Sequence, residues 1–212
     1  MSPEDRGVSI WSRGDNQERA IEQRATQGAM KYEVASLSDL DQDRLALRMV
    51  DLFTGDLGRG YENKVLMTLA ARLVDRGLVS YESARARLEE FEKTGSQGNF
   101  AALFRAVGSF EECLVCVHRA IRVTKVLGQR GVLDSSKLPS RKAAKAIKTM
   151  RDAIEHFEDR ILRKRKPWIR QGESTLPMPK ERGLALGTHH LEYATLAKAI
   201  RALHEAVGEP IA

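Results

Sequence analysis

Cysteine is scarce in this chain: there are two in 212 residues, and both Cys113 and Cys116 fall in one apolar run, FEECLVCVHRAI. A single C-x-x-C cannot complete a four-ligand zinc site, and His118 adds only a third candidate ligand within two turns. The pair therefore reads as small buried core residues in a reducing compartment. Long apolar runs are also missing. None approaches the ~20 residues that a membrane span needs, and the first twenty residues lack the apolar stretch of a signal peptide. A soluble, cytoplasmic protein is expected. The glycines are spread through turns, which removes the phosphate loops of P-loop and dinucleotide-binding proteins, and no Ser, His and Asp grouping suggests a hydrolase triad. His189 and His190 adjoin in GTHHLEY, where neighbouring side chains point apart, whereas a metal pair prefers other spacings. No metal and no cofactor are expected.

What is abundant is Ala, Leu, Arg, Lys and Glu, all good helix formers, so an all-α protein is predicted. The net charge of +6 is unevenly placed. Residues 141 to 170 hold 11 basic side chains against the four acidic groups Asp152, Glu155, Glu158 and Asp159, a local charge of +7 that exceeds the chain's total. Such a concentration suits a polyanion such as nucleic acid, or an acidic partner, or it forms a solvated helix face.

Three regions are expected. Residues 1–36 are polar and read as a mobile arm. Residues 37–94 read as a small helical region with helices near 39–54, 61–76 and 81–93. Gly77 is the expected C-cap of the second and Ser80 the N-cap of the third, so RGLVS becomes the turn of a helical hairpin rather than of a helix-turn-helix DNA reader. TGSQGN at 94–99 marks a boundary. Residues 99–212 then form an antiparallel helical bundle. Phe100, Leu103, Val107, Phe110, Leu114, Val117 and Ile121 step by three and four along one long helix. Ala143, Ile147, Met150, Ile154, Phe157 and Ile161 repeat the pattern over about 140–165, with Ser140 as N-cap and Pro167 as the stop. A small β-hairpin is expected near 180–192. A final helix over about 191–207 buries Tyr193, Leu196, Ile200, Leu203 and Val207.

Within KTMRDAIEHFEDRILRKRK, Arg151 and His156 are five residues apart, or about 140° around a straight helix. They do not share a face, so their convergence needs a second surface such as another copy of the chain. Asp152 and His156 have the i, i+4 spacing by which a carboxylate can hold an imidazole, and Arg151 and Glu155 have the spacing of an ion pair. An imidazole and a guanidinium suit RNA cleavage, since the ribose 2'-OH is an internal nucleophile that needs a base, a cation and no metal. Beyond them Arg160, Arg163, Lys164, Arg165 and Lys166 form a cationic cluster beside Trp168, which could stack on a base. A helix C-terminus stabilised by cations would look the same.

RDAIEH resembles the Arg, polar residue, three variable residues, His motif of the HEPN superfamily, placed in a late helix of a helical bundle over about residues 99–207. The resemblance implies a metal-independent endoribonuclease of toxin, defence or RNA-processing type, with Arg151, Asp152 and His156 in a composite site built by a homodimer. It also implies a partner protein of antitoxin type. Some relatives use the fold only for protein assembly or RNA binding, which is the alternative reading. Residues 1–98 have no counterpart in that family, and the acidic groups of EHFEDR lie beside the His.

Overall fold

Helix-forming sequence with three- and four-residue apolar spacing yields a mostly helical chain here. The computed structural model describes residues 31–41, 45, 60–94, 99–156 and 177–208. Helix α1 spans Gly60–Thr94, α2 Phe100–Gln129, α3 Arg141–Glu155 and α4 Tyr193–Gly208, with a 3-10 turn at Ser135–Lys137 between α2 and α3. Three short strands, β1 Met178–Lys180, β2 Gly183–Leu186 and β3 His189–Glu192, precede α4. No helix among the described residues is long and apolar enough to cross a membrane. Residues 1–30, 95–98 and 157–176 lie outside the described residues, as does the expected helix near 39–54 apart from residues 39–41 and Leu45.

The expected turn at RGLVS does not form: α1 is one helix of 35 residues that runs straight through Gly77 and Ser80. Gly77 serves packing instead. A Cβ there would stand 3.1 Å from Val117 Cγ2 and 3.6 Å from Cys116 Cβ, so the missing side chain is what lets α2 come this close. Glycine costs a helix interior up to about 1 kcal/mol, and tertiary contact overrides that local preference. Ser80 is buried within the helix and caps nothing.

The helical hairpin lies one element later, between α1 and α2. Arg130 Nη1 donates to Glu62 Oε2 (3.1 Å), Arg76 Nε to Glu112 Oε1 (2.6 Å) and Asn99 Nδ2 to Glu90 Oε1 (2.8 Å). As numbers rise along α1 their partners fall along α2, so the two helices are antiparallel. Asn99 caps α2 by accepting from Ala102 N–H at 3.1 Å. At its other end Gly131 (φ +69°) donates to Gly128 O at 3.0 Å, and Val132 N–H to Leu127 O at 2.9 Å. That left-handed cap with its two reversed hydrogen bonds ends the helix and tucks Val132 against the core.

One hydrophobic cluster runs from Leu37 through α1, α2, α3 and the sheet to Val207. At its centre the Phe110 ring meets Tyr81 edge-on at 6.1 Å and stacks on Tyr193 at 5.2 Å, which joins α1, α2 and α4. The stripe on α4 is buried as its spacing predicts, and Cys113 and Cys116 are buried free thiols. Phe100, the first residue of the α2 stripe, is 60% exposed, although its ring lies 5.9 Å from that of Phe91 on α1. The expected hairpin near 180–192 is present within a three-stranded antiparallel sheet, order β1-β2-β3, with Leu184 opposite Leu191.

Residues 31–36, expected in a mobile arm, are bound to the body. Glu33 N–H donates to Glu181 O (2.6 Å) and Tyr81 Oη to Ala35 O (3.0 Å). Further along, Leu37 N–H donates to Glu82 Oε1 (2.5 Å), Arg201 grips Asp39 through two hydrogen bonds of 2.6 and 3.0 Å, and the buried His204 meets Asp41 O at 2.8 Å.

The crossing at Gly77 makes a direct prediction. Gly77→Val should overpack the seam and lower stability by about 1–3 kcal/mol in urea unfolding. Gly108→Ala, on the same hairpin but with nothing within 4 Å of the new Cβ, should raise it by about 0.5–1 kcal/mol.

Candidate functional site

Helix α3 begins where expected: Ser140 Oγ accepts from Ala143 N–H at 3.2 Å. Ile147, Met150 and Ala153 are its buried face. The helix stops at Glu155, however, and His156 is its C-cap, with its N–H donating to Asp152 O at 3.1 Å. The imidazole is therefore exposed at a helix end rather than in the middle of a continuing ridge.

Arg151 and Asp152 sit where α3 turns from its buried face toward α2, and both are half-buried. Arg151 Nη1 donates to Glu155, the expected i, i+4 pair, and Nη2 lies 3.3 Å from Asp152 Oδ1. Asp152 also accepts from Lys148, one turn earlier. Its carboxylate thus has Lys148 and Arg151 as cationic partners, and it does not point away from the bundle as a helical wheel of α3 alone predicts, because α2 packs on that side. Burial pushes the Asp152 acid strength down, but the Lys148 hydrogen bond and the nearby cations outweigh it and hold the carboxyl below its ordinary range. Arg151 Nε is buried and donates to no acceptor among the described residues. A buried donor left unpaired costs on the order of 1–3 kcal/mol, so it is an exception that native structures keep for a reason.

Opposite this group stands a residue that sequence reasoning weighed only as a partner for the cysteines. His118 of α2 is 6% exposed and within electrostatic reach of Arg151, Asp152 and Lys148 of α3 and of Arg122 one turn along α2. Its pKa is held below the free value, first by burial and then by the Arg151 charge; Asp152 opposes the shift, and Arg122 and Lys148 add to it. The imidazole is therefore neutral at neutral pH. The available signal was a polar residue inside the apolar run CLVCVHRAI, a position that costs free energy unless something uses it.

Cations extend from this cluster along both helices. Arg119, Arg122 and Lys125 on α2, and Arg141, Lys142 and Lys145 on α3, are exposed and form no ion pair with a described residue. A groove of about 370 Å³ between α3 and α4, lined by Lys142, Ala143, Ala146, Lys198, Ala199 and Ala202 among others, includes none of Arg151, Asp152 and His156. His189 is half-buried and His190 exposed on alternate positions of β3. Among the described residues no group of three or more His, Cys, Asp or Glu side chains is placed to hold a metal ion. The expected RNA-contacting residues Arg160, Arg163, Lys164, Arg165, Lys166 and Trp168 lie outside the described residues.

No protein-family model, no curated protein and no solved structure matches this chain.

Two outcomes follow from the electrostatics. Arg151→Met removes the unpaired donor and keeps the aliphatic stem, so thermal unfolding should place the variant within about 1 kcal/mol of the wild type or above it. Folding also holds the His118 imidazole below its free value of 6.5. The unfolded chain consequently takes up that proton first, and stability present above pH 6.5 is lost as the pH falls. His118→Gln should flatten this part of the stability-pH profile measured by urea unfolding.

Proposed function

We propose that this chain is a metal-independent endoribonuclease of the HEPN type acting on single-stranded RNA. The observation that carries the reading is that exposed cations of α2 and α3, none in an ion pair with a described residue, lead to the turn of α3 that bears Arg151, Asp152 and, at its end, the exposed His156. A stripe of unneutralised charge attracts a phosphate backbone without reading its sequence. The guanidinium at its end offers donors in a fixed fork to a phosphorane, and the imidazole transfers a proton. The 2'-OH of the substrate attacks its own phosphate, so RNA is cleaved and DNA is not.

Arg151 and His156 lie about 140° apart around the helix axis, so the site is composite and a homodimer brings His156 of one copy toward Arg151 of the other. Asp152 sets the local field and orients the cationic groups. Arg151 exchanges Glu155 for the phosphate, an easy trade because partly exposed ion pairs contribute little. Arg160, Arg163, Lys164, Arg165 and Lys166 continue the backbone contact, and Trp168 stacks on a base.

One observation favours a second reading. The Arg151 guanidinium already has two carboxylate neighbours, Glu155 and Asp152. A guanidinium neutralised in this way suits a non-catalytic module that binds RNA or assembles with a partner protein of antitoxin type.

Cleavage of a mixed-sequence RNA in EDTA separates the two. The wild type should cut and His156→Ala should lose about a hundredfold or more in rate; equal rates, or no cutting by either, remove the catalytic reading. Gel filtration should give a dimer. RNA retention that weakens steeply with salt, without cleavage, is the outcome for the binding module.

A further inference from the structure

The groove of about 370 Å³ between α3 and α4 takes no part in the Arg151 site, yet its size falls within the range of surfaces that receive a ligand or a partner's side chains. Ala143 and Ala146 of α3 and Ala199 and Ala202 of α4 line it, together with Leu138 and Pro139. The alanines of each helix are three residues apart and so follow one another along one face. A larger aliphatic residue at these positions would fill the space, so the trough exists because the side chains are small.

Four polar side chains complete the lining, and two of them are already engaged. Ser140 Oγ accepts from Ala143 N–H as the α3 cap, and Thr195 Oγ1 donates to Glu192 Oε2 at 3.5 Å. The other two are Lys142 and Lys198, one from each helix, both exposed and in no ion pair with a described residue. No carboxylate is among the lining residues.

We propose that this groove docks an acidic amphipathic segment of a partner protein, whose apolar side chains enter the alanine trough while its carboxylates meet Lys142 and Lys198. The inference stands apart from the endoribonuclease reading and does not depend on cleavage. Charge complementarity selects the sign of the partner, since both helices present a cation to the groove and neither presents an anion. The floor selects peptide over RNA. Lys142 also belongs to the cation row of α3, which makes RNA the rival occupant, but RNA holds a groove by phosphate contacts and by stacking its bases on aromatic or arginine side chains, and none lines this one. Methyl groups reward only an apolar side chain that leaves water against them. An amphipathic helix laid along two helices with its apolar face inward meets both requirements.

The test uses the full chain, with its alanine methyl groups labelled for NMR, and synthetic helical peptides of about 15 residues. The first peptide carries leucine at i, i+3, i+4 and i+7 with glutamate on the flanks; the second has serine for leucine, and the third has lysine for glutamate. A mixed-sequence RNA is the fourth probe. The first peptide should shift the methyl resonances of Ala143, Ala146, Ala199 and Ala202, and the second and third should bind about tenfold more weakly or worse. Lys142→Glu combined with Lys198→Glu should reverse the preference between the first and third peptides. Ala202→Trp, which fills the trough and leaves both lysines in place, should weaken the first peptide by about tenfold or more. Unshifted alanine methyls at millimolar concentration of the first peptide overturn the proposal, as does equal affinity for the serine peptide. RNA that shifts the same four methyls and displaces the peptide overturns it in favour of a nucleic-acid groove. Should Ala202→Trp fail to fold, the wild-type shifts and the charge-reversed variant still decide the matter.

Discussion

The approach of α2 to the bare backbone at Gly77 is the contact on which the rest of the molecule depends. It brings Val117 and Cys116 against α1 and sets the register in which two antiparallel helices, ~52 Å and ~45 Å long, pack along their length. That register also orients what lies beside it. With Val117 turned to α1, the next residue is about 100° further round and faces α3 instead. His118 thus owes its place opposite Arg151 to a glycine on a third helix. The same packing carries the apolar cluster through Phe110 to Tyr81 and Tyr193, so the seam that aims the histidine and the core that holds the fold are continuous.

Three histidines of this chain show how environment assigns work to one side chain. His204 is buried, and a ring nitrogen meets a backbone carbonyl, so it anchors residues 39–41 to α4 together with the two-point grip of Arg201 on Asp39. His118 is also buried, and desolvation plus the charges of Arg151, Arg122 and Lys148 favour its neutral form. His156 stands in solvent at the end of α3. Buried imidazoles next to cations resist protonation, whereas Asp152, beside Lys148 and Arg151, is stabilised in its charged form. At the seam between α2 and α3 a neutral imidazole, a carboxylate and a guanidinium therefore lie within electrostatic reach of one another.

Much of the helical framework was legible in the sequence, because apolar spacing and capping residues act locally. The stripe on α4, the Ser140 cap and the strand excursion before Tyr193 are all of that kind. What was not legible depended on partners distant in sequence. A glycine followed by Ser80 reads as a helix stop and a new cap unless Val117 is known to lie 3.1 Å away from the missing Cβ. Asp152 reads as pointing outward on α3 taken alone, whereas in the fold it is half-buried and within electrostatic reach of His118 on α2. The end of α3 at Glu155, one residue before His156, also escaped the periodicity, since Phe157 and Ile161 continue the apolar spacing beyond it. The motif Arg151, Asp152, His156 was visible as residues, but the position of His118 beside it was not.

Two departures from ordinary folding rules meet at that seam. Helix α2 interrupts its apolar run with a histidine that must be desolvated, and α3 buries an arginine nitrogen without an acceptor. Each alone costs stability, and sequences that fold well keep such conflicts few. In the chain they are 33 residues apart. Packing brings them within electrostatic reach of one another across two helices, with Asp152 as the carboxylate between Lys148 and Arg151. Their chain neighbours Val117 and Met150 are buried apolar side chains, so the polar groups interrupt an otherwise apolar interior. Their juxtaposition gathers a desolvated imidazole and an arginine nitrogen without an acceptor at one place between α2 and α3, a local cost that the apolar core around them has to offset.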